Sequence, residues 1–265
     1  MLVHNYNVLS NISSGSFGCV FKGQHKRSNE LVAIKMEQKD NYMQSIKHES
    51  QIYQYLGRMD GFPYLKWYGS DNEKRYLVTN LLGKSITNVV EHYKVLSLKN
   101  VLIIGLQIFE RIEVMHNHLL SHRDIKPDNF LFGIEEPKKV HLIDFGLCKR
   151  YTCDTGSHIE SKPLTNIIGS MNYVSLNVHK HIEPSRRDDL ESAVYILLYM
   201  YFGKLEWVNC DLVDTIRLKE EIIVLDETPL VMKQLLKYIR LLRFDSVPDY
   251  ELLLRLIKNE ITKIK

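Results

Sequence analysis

The chain has 265 residues, of which 45% are hydrophobic and 25% are charged, and its formal net charge at pH 7 is +3. This composition argues against a disordered chain, and the small net charge gives no reason to expect a nucleic-acid ligand. The length is sufficient to bury one large core or two lobes.

The chain shows no feature of a secreted or membrane protein. Residues 1–6 contain no basic region followed by an apolar run, so no signal peptide is predicted. The longest apolar run, residues 101–109, is interrupted by Gly105 and Gln107 and is too short to span a bilayer. The four cysteines form no CxxC pair, which is typical of free thiols in a reducing compartment. We expect an intracellular protein with no membrane partner.

The first third of the chain is rich in predicted strands. Residues 6–9 and 19–22 alternate in polarity around a Gly/Ser-rich tip, which predicts a hairpin. Residues 31–36 include the β-branched residues Val32 and Ile34 and predict another strand. Apolar positions at helical spacing predict a helix over residues 45–56, and residues 76–79 predict a further strand before a connection over residues 80–83.

The remainder is predicted to be mostly helical. A long helix begins at Ser97, and a segment opened by Asp189 is apolar nearly all round, with Gly203 just past its end. A helix without a polar face is buried, so we expect this one at the centre of a second lobe. Residues 231–242 and 250–265 predict the last two helices.

The most informative motif runs from His122 to Asn129 and is followed downstream by Asp144-Phe145-Gly146. In this motif Asp124 can accept the proton of an attacking hydroxyl, and Lys126 can neutralise charge on a phosphoryl group. Asn129 and Asp144 offer two oxygen ligands to magnesium. A charged loop beside an unrelated strand end is the alternative, but the order and spacing of both motifs favour phosphoryl transfer.

The first third supplies a matching set of phosphate-binding residues. Ser13, Gly15, Gly18 and Val20 resemble a glycine-rich loop that has lost its first glycine. Lys35 ends a Val-Ala-Ile-Lys strand and can pair with the α- and β-phosphates, while Glu49 on the following helix can hold Lys35 by an ion pair. The alternatives are a solvated strand lysine and a surface carboxylate.

Three nearby histidines raise the alternative of a metal site. His116, His118 and His122 have no cysteine or carboxylate at ligand spacing, whereas a zinc site needs three or four converging ligands. We therefore favour a surface pair, His116 and His118, with a structural His122.

The chain resembles eukaryotic protein kinases over essentially its whole length, and within them it is similar to the casein kinase 1 family. The most specific match is Ser185-Arg186-Arg187-Asp188-Asp189-Leu190-Glu191-Ser192, and Ser175-Leu176-Asn177 replaces the Ala-Pro-Glu of most kinases. The remaining matches are His48-Glu49-Ser50, Leu81-Leu82-Gly83-Lys84-Ser85, Lys126-Pro127-Asp128-Asn129-Phe130-Leu131, and Leu242-Arg243-Phe244-Asp245 with Pro248-Asp249-Tyr250.

The resemblance implies an α+β, bilobal protein-kinase fold over residues 1–265. A small, mostly β N-lobe with one main helix would span residues 1–82, and a larger, mostly α C-lobe residues 83–265. It also implies ATP with Mg²⁺ and transfer to serine or threonine of protein substrates. We expect a monomer in the nucleus or cytoplasm.

Roles transfer from the family residue by residue. Asp124 would be the base, Lys126 the phosphate neutraliser, and Asn129 and Asp144 the metal ligands. Asp189 would tie the buried helix to the catalytic loop. The residues implied to contact the nucleotide are Ile12, Ser13, Ser14, Gly15, Ser16, Phe17, Gly18, Cys19, Val20, Ala33, Lys35, Glu49, Thr79 as gatekeeper, Leu82, Leu131 and Ile143. Core packing is the alternative for the apolar members of this set.

Departures from the family pattern concern the substrate. Asn172 stands where the family has an arginine that helps to bind a phosphate on the substrate, and the basic run after Trp207 is missing. Lys162, Arg217 or Lys219 are the candidates to compensate. Without compensation we expect a weaker preference for acidic or phosphorylated substrates. We also expect that no inhibitory tail follows the domain, since the sequence ends at Lys265.

Two other functions are alternatives to a protein kinase. A pseudokinase that binds nucleotide as a scaffold would have lost Lys35, Asp124 or Asp144, and all three are present. A small-molecule kinase of related fold would lack the Arg186-Arg187-Asp188-Asp189 region. An active serine/threonine kinase is therefore the favoured interpretation.

Overall fold

The computed structural model describes residues 1–15, 18–39 and 45–264, so the predicted nucleotide contacts Ser16 and Phe17 lie outside the described residues. The chain forms two compact units. The first comprises Met1–Gly83 and Leu131–Leu147, and the second comprises Lys84–Phe130 and Cys148–Lys265. Because the chain enters the first unit twice, Asp144 belongs to the same unit as Lys35.

The first unit is built on an antiparallel sheet of six strands in the order β1-β2-β3-β4-β6-β5. The predicted hairpin is confirmed, although its strands continue almost to the tip, and the helix predicted over residues 45–56 has those bounds. Strand β5 was not predicted. The elements are β1 (Leu2–Val3), β2 (Tyr6–Gly15), β3 (Gly18–His25), β4 (Leu31–Gln38), α1 (Ser45–Leu56), β5 (Leu65–Ser70) and β6 (Lys74–Asn80).

The two faces of this sheet have different compositions. On β4, Val32, Ile34 and Met36 are buried in an apolar cluster that also contains Tyr76 and Val78. Alternate residues of a strand point to opposite faces, so the odd-numbered positions of β4 face the other way. The odd-numbered face carries Lys35 and the other polar residues that concern the candidate site.

The rest of the chain is mostly helical, as predicted. Its elements are α2 (Ile86–Tyr93), α3 (Leu98–Asn117), β7 (Leu120–Ser121), a 3₁₀ turn (Pro127–Asn129), β8 (Phe130–Phe132), β9 (Val140–Leu142), β10 (Lys149–Arg150), α4 (Leu176–His179), α5 (Arg186–Phe202), α6 (Leu212–Glu221), α7 (Leu230–Leu241) and α8 (Tyr250–Lys263). Strands β8 and β9 form one two-stranded sheet, and β7 and β10 form another.

Helix α5 is buried along nearly its whole length and packs against α3 and α7, as its apolar composition predicted. It begins at Arg186 rather than at Asp189, because Ser185 and Asp188 form a capping box at its start. It ends at Gly203, whose φ of 77° is left-handed and suits glycine. Across the described ranges, no helix has both the length and the apolar character that crossing a membrane requires.

Candidate active site

A buried network joins Lys35 to two carboxylates within the first unit. The Nζ atom of Lys35 lies 2.7 Å from Oε2 of Glu49 on α1 and 2.8 Å from Oδ1 of Asp144. The side chain of Glu49 is only 2% exposed, whereas that of Asp144 is 23% exposed. The structure therefore brings together three of the predicted site residues and leaves the Asp144 carboxylate accessible from solvent.

The network fixes the charge of the lysine. Burial lowers the pKa of Lys35, but the carboxylates of Glu49 and Asp144 outweigh burial and raise that pKa above the ordinary lysine value. Burial also raises the pKa of the Glu49 carboxyl group, against the attraction of Lys35. Lys35 is thus held as a fixed cation at neutral pH.

Helix α1 is held at its start by Glu37, a residue that the sequence analysis did not single out. Glu37 lies two positions after Lys35 on β4, so both side chains point to the same face. Its Oε1 atom accepts hydrogen bonds from the Ser45 amide at 3.0 Å and the Ser45 hydroxyl at 2.7 Å, and Oε2 accepts one from the Ile46 amide at 3.4 Å. A carboxylate at a helix N-terminus is favourable. One strand therefore holds α1 both at its first turn and through Glu49.

Other predicted nucleotide contacts lie on the same face of the sheet as Lys35. Val20 is the cross-strand neighbour of Lys35, and Thr79 is the neighbour of Ala33. Cross-strand neighbours share a face, so these four residues form one surface opposite the apolar cluster. Thr79 is buried and the other three are half-buried.

The remaining predicted nucleotide contacts also belong to the first unit. Gly18 has a φ of 111°, and a Cβ atom there would lie 2.2 Å from the Met36 carbonyl oxygen, so only glycine fits. This requirement is structural and exists without any ligand. Ser13, Ser14 and Ile12 are exposed, whereas Cys19, Leu82, Leu131 and Ile143 are half-buried, and Gly15 ends β2.

A second polar cluster surrounds Asp124 in the second unit. Lys126 Nζ lies 2.7 Å from Oδ2 of Asp124, and the Ser170 hydroxyl donates to Oδ1 at 2.8 Å. The side-chain amide of Asn129 donates to the backbone oxygen of Asp124 at 2.9 Å. Ser170 was not predicted from the sequence, where its signal is a hydroxyl residue directly after Gly169. Both carboxylate oxygens of Asp124 are thereby held in a fixed orientation.

Asp189 holds the backbone of the loop before Asp124. Its two carboxylate oxygens accept hydrogen bonds from the amides of His122 at 2.7 Å and Arg123 at 2.8 Å, which confirms its predicted link. Burial raises the pKa of Asp189, but hydrogen bonds from His116 and the Arg123 amide outweigh it and lower the pKa below its ordinary value. The prediction of His116 as a surface residue is wrong, because this buried ring bonds both Asp189 and Tyr250.

Two non-glycine residues of the site have left-handed backbones. Arg123 has a φ of 68° and Asp144 a φ of 64°. Such conformations cost on the order of 1–3 kcal/mol and persist where the surroundings enforce them. At Arg123 the enforcing contact is the Asp189 carboxylate, and at Asp144 it includes Lys35.

The residues predicted to hold a metal have suitable donor atoms. The amide nitrogen of Asn129 is engaged by the Asp124 carbonyl, which directs the amide oxygen elsewhere. Asp144 supplies a partly exposed carboxylate. Oxygen donors of these kinds are those that magnesium prefers. The chemistry of the two side chains therefore fits Mg²⁺.

The basic residues proposed to compensate for Asn172 have different environments. Arg217 bonds Asp214 at 2.9 Å and Glu221 at 3.1 Å, so its charge is already balanced. Lys219 is fully buried and is not available to an external anion. Lys162 is exposed. Of the three residues, Lys162 alone is left as an exposed candidate without a carboxylate at its side-chain nitrogen in the described structure.

Comparison with known protein families agrees with this geometry. The family model described as "Protein kinase domain" matches residues 6–240, which include every predicted site residue. Proteins of this family use ATP with a divalent metal ion and act on protein substrates. The chain belongs to the protein kinase family.

Proposed function

We propose that this protein is a serine/threonine kinase of the casein kinase 1 type, which transfers the γ-phosphate of ATP, bound with Mg²⁺, to hydroxyl groups of protein substrates. The observation that carries the proposal is the Asp124 carboxylate, oriented by Lys126 on one oxygen and Ser170 on the other. This arrangement suits removal of a proton from an aliphatic hydroxyl beside a cation that neutralises the transferred group.

Each residue of the two clusters has a role in this reaction. Asp124 accepts the proton of the substrate hydroxyl, and Lys126 balances the negative charge spread over the phosphoryl oxygens. Lys35, kept charged by Glu49, binds the nucleotide phosphates. Asn129 and Asp144 would hold Mg²⁺, which supplies positive charge to the phosphates when bound.

A contact between two family-specific stretches supports the casein kinase 1 type. Ser175 and Asn177, from the stretch that replaces Ala-Pro-Glu, both donate to Oδ1 of Asp188, at 2.6 and 3.1 Å. Asp188 belongs to the Ser-Arg-Arg-Asp-Asp stretch on which the resemblance chiefly rests. The two stretches on which the resemblance rests are therefore joined by direct hydrogen bonds in this protein.

Transfer of radiolabelled phosphate from ATP to casein, followed by phosphoamino-acid analysis, tests the proposal. We expect phosphoserine and phosphothreonine with the parent and no transfer with Asp124→Asn. Phosphotyrosine as the product would contradict the hydroxyl class. ATP binding without transfer would favour the alternative of a nucleotide-binding scaffold.

Substrate preference follows from Asn172. An amide supplies no charge, and a lost charge-assisted contact is worth on the order of 1.5–3 kcal/mol, or roughly tenfold to a hundredfold in preference. The structure leaves Lys162 as the candidate to compensate. We expect Asn172→Arg to increase kcat/KM for a peptide with an upstream phosphoserine relative to its unphosphorylated form. A parent that already favours the phosphorylated peptide strongly, with no gain from arginine, would contradict this interpretation.

A further inference from the structure

Lys219 is a buried lysine whose partners are backbone carbonyl oxygens. It lies on α6 and is 0% exposed. Its Nζ atom lies 2.7 Å from the Val174 oxygen, 3.3 Å from the Met171 oxygen and 2.9 Å from Nε2 of His179. The three N–H donors of the ammonium group thus match three acceptors: two backbone oxygens and one imidazole nitrogen. All three acceptors belong to the same unit as Lys219.

The surroundings of Lys219 are partly aromatic. Its Nζ atom lies over the rings of Tyr195 and Trp207, at 4.8 and 5.4 Å from their centroids, which favours a cation there. The titratable and charged groups that face it from neighbouring helices are His179 on α4, Glu191 and Tyr195 on α5, and Arg240 on α7.

Burial dominates the ionisation of this cluster. Burial lowers the pKa of Lys219 to about 7, with Glu191 opposing and Arg240 reinforcing the change. Burial and the neighbouring Lys219 lower the pKa of His179 to about 4, so that its imidazole is neutral at pH 7. A neutral imidazole can accept the hydrogen bond that Lys219 donates.

The carbonyl oxygens bound by Lys219 belong to a short segment, residues 169–174, that is fixed to the Asp124 cluster at its other end. A Cβ atom on Gly169 would lie 2.6 Å from the Arg123 oxygen, so the two backbones are in close contact. Ser170 bonds Asp124, and the indole N–H of Trp207 donates to the Asn172 oxygen at 2.7 Å. Trp207 and Lys219 together hold three carbonyl groups of this segment.

We propose that Lys219 is a positioning residue for the protein substrate, because it fixes the backbone of residues 171–174 beside the predicted base Asp124. Ser170 of this segment bonds Asp124, and Met171 in it is 49% exposed, so the segment presents a surface next to the carboxylate that a substrate hydroxyl would meet. The predicted ATP-phosphate ligand Lys35 belongs to the first unit instead. Loss of Lys219 should therefore weaken use of the peptide and leave use of ATP unchanged.

Steady-state kinetics of Lys219→Met with a synthetic serine peptide and ATP test this inference, which rests on the proposed function. Methionine keeps the length of the side chain and removes all three donors. We expect KM for the peptide to rise at least about tenfold, because a segment that is no longer preorganised must be ordered when the peptide binds, with KM for ATP changed less than about twofold. Lys180→Met is the matched control, since the side chain of Lys180 forms an exposed ion pair with Glu220, a residue on the same helix as Lys219. It should match the parent.

A purely structural role for Lys219 would give a different result. It would lower the active fraction, and hence kcat, with both KM values unchanged, and that result would overturn the inference. If Lys219→Met does not fold, the inference is tested with Trp207→Phe instead. This variant removes the indole N–H that donates to the Asn172 oxygen of the same segment, and it should also raise the peptide KM. An unchanged peptide KM in Trp207→Phe would then overturn the inference.

If the parent protein phosphorylates no peptide, the proposed function is contradicted. The proposal that Lys219 fixes residues 171–174 can still be tested in that case. Hydrogen exchange of the amides in residues 169–175 remains measurable in that case. Faster exchange confined to this segment in Lys219→Met supports the proposal that Lys219 fixes its backbone. Exchange equal to that of the parent refutes it.

Discussion

Lys35, whose side chain is 11% exposed, and Lys219, which is fully buried, are two largely enclosed lysines with opposite kinds of partner. Two carboxylates lie within 2.8 Å of Lys35, whereas two carbonyl oxygens and an imidazole nitrogen surround Lys219. The pKa of Lys35 is raised and the pKa of Lys219 is lowered, although burial acts in the same direction on both. Formal charges nearby, rather than burial, therefore decide whether a buried lysine keeps its proton.

The difference suits the two proposed roles. A residue that binds phosphate must remain a cation, and the carboxylates of Glu49 and Asp144 secure that charge. A residue that holds a loop in place needs donors more than charge, because dipolar carbonyl groups accept hydrogen bonds from either protonation state. The neutral amine of Lys219 still has two N–H donors for Met171 and Val174.

The largest expected effect is that of Lys35→Met. It removes the fixed cation from the proposed phosphate site, so we expect kcat to fall by more than about a hundredfold, as for other transition-state groups. The peptide KM should stay near that of the parent, which is the reverse of the result expected for Lys219→Met. Steady-state kinetics with both substrates measure this.

Lys26→Met is the control, since Lys26 is an exposed lysine of the first unit. Circular dichroism should show that Lys35→Met remains folded. Near-parental turnover of a folded Lys35→Met protein would contradict the role given to Lys35. A raised peptide KM in Lys35→Met would contradict the expected difference between the two variants, in which only Lys219→Met raises the peptide KM.

Much of the fold could be predicted, because helices with strong periodicity and caps are local features. Helix α1 has its predicted bounds, and α3 starts after Ser97, whose hydroxyl accepts a hydrogen bond from the Asn100 amide at 3.3 Å. Helix α6 was not assigned. Among its apolar residues, Val213 is 75% exposed, so hydrophobic spacing gives a weak signal there.

The site was predictable where residue types follow a spaced motif, as with Lys35, Asp124 and Asp144. The role of a residue was not predictable where it depends on contacts between residues that are far apart in the sequence. The sequence offered Lys219 as a candidate to compensate for Asn172, because nothing local shows that its amine binds the carbonyl groups of residues 171 and 174. Glu37 was missed for the same reason, since its carboxylate caps a helix that starts eight residues later.

The next effect in size is expected from Glu37→Ala. Loss of a helix cap costs about 0.5–2 kcal/mol, and each 1.4 kcal/mol corresponds to about a tenfold change in population. A less firmly held α1 places Glu49 near Lys35 for less of the time, so kcat should fall by up to about tenfold. Thermal unfolding and kcat measure the two effects.

Glu37→Gln should show a smaller loss, because its amide oxygen can still accept from Ser45. Glu73→Ala removes an exposed glutamate of the same unit and should match the parent. If Glu37→Ala lowers the melting temperature with no change in kcat, the cap stabilises the fold without supporting Lys35 and Glu49.

A smaller effect is expected from Lys219→Met, on the pH dependence of the free energy of unfolding. The pKa of Lys219 is about 7 in the folded protein and is about 10.4 for an unfolded lysine. Between these values the unfolded chain holds a proton that the folded chain lacks, so this group makes the free energy of unfolding rise with pH. Below pH 7 both states are protonated, and the contribution is constant.

Melting temperatures of the parent and Lys219→Met from pH 6 to pH 9.5 check the sign. The parent should gain stability relative to the variant as pH rises above about 7. Lys35 adds nothing in this window, because its raised pKa keeps it protonated in both states. A parallel pH dependence of the two proteins would show that Lys219 keeps its proton.

The smallest effect on activity is expected when a phosphatase removes any phosphate from the protein's own serine and threonine residues. The segment between β10 and α5 is held by contacts that need no phosphate: Lys149 pairs with Glu183, Leu164 donates to the His181 oxygen, and Lys219 binds residues 171 and 174. Its candidate phosphorylation sites are exposed; they are Thr155, Ser157, Ser161 and Thr165. Because its order comes from these contacts, phosphatase-treated protein, checked by intact mass, should keep its activity within about twofold. A large loss, restored by incubation with ATP, would mean that a phosphorylated residue orders the segment, and the anchoring assigned to Lys219 would then be insufficient alone.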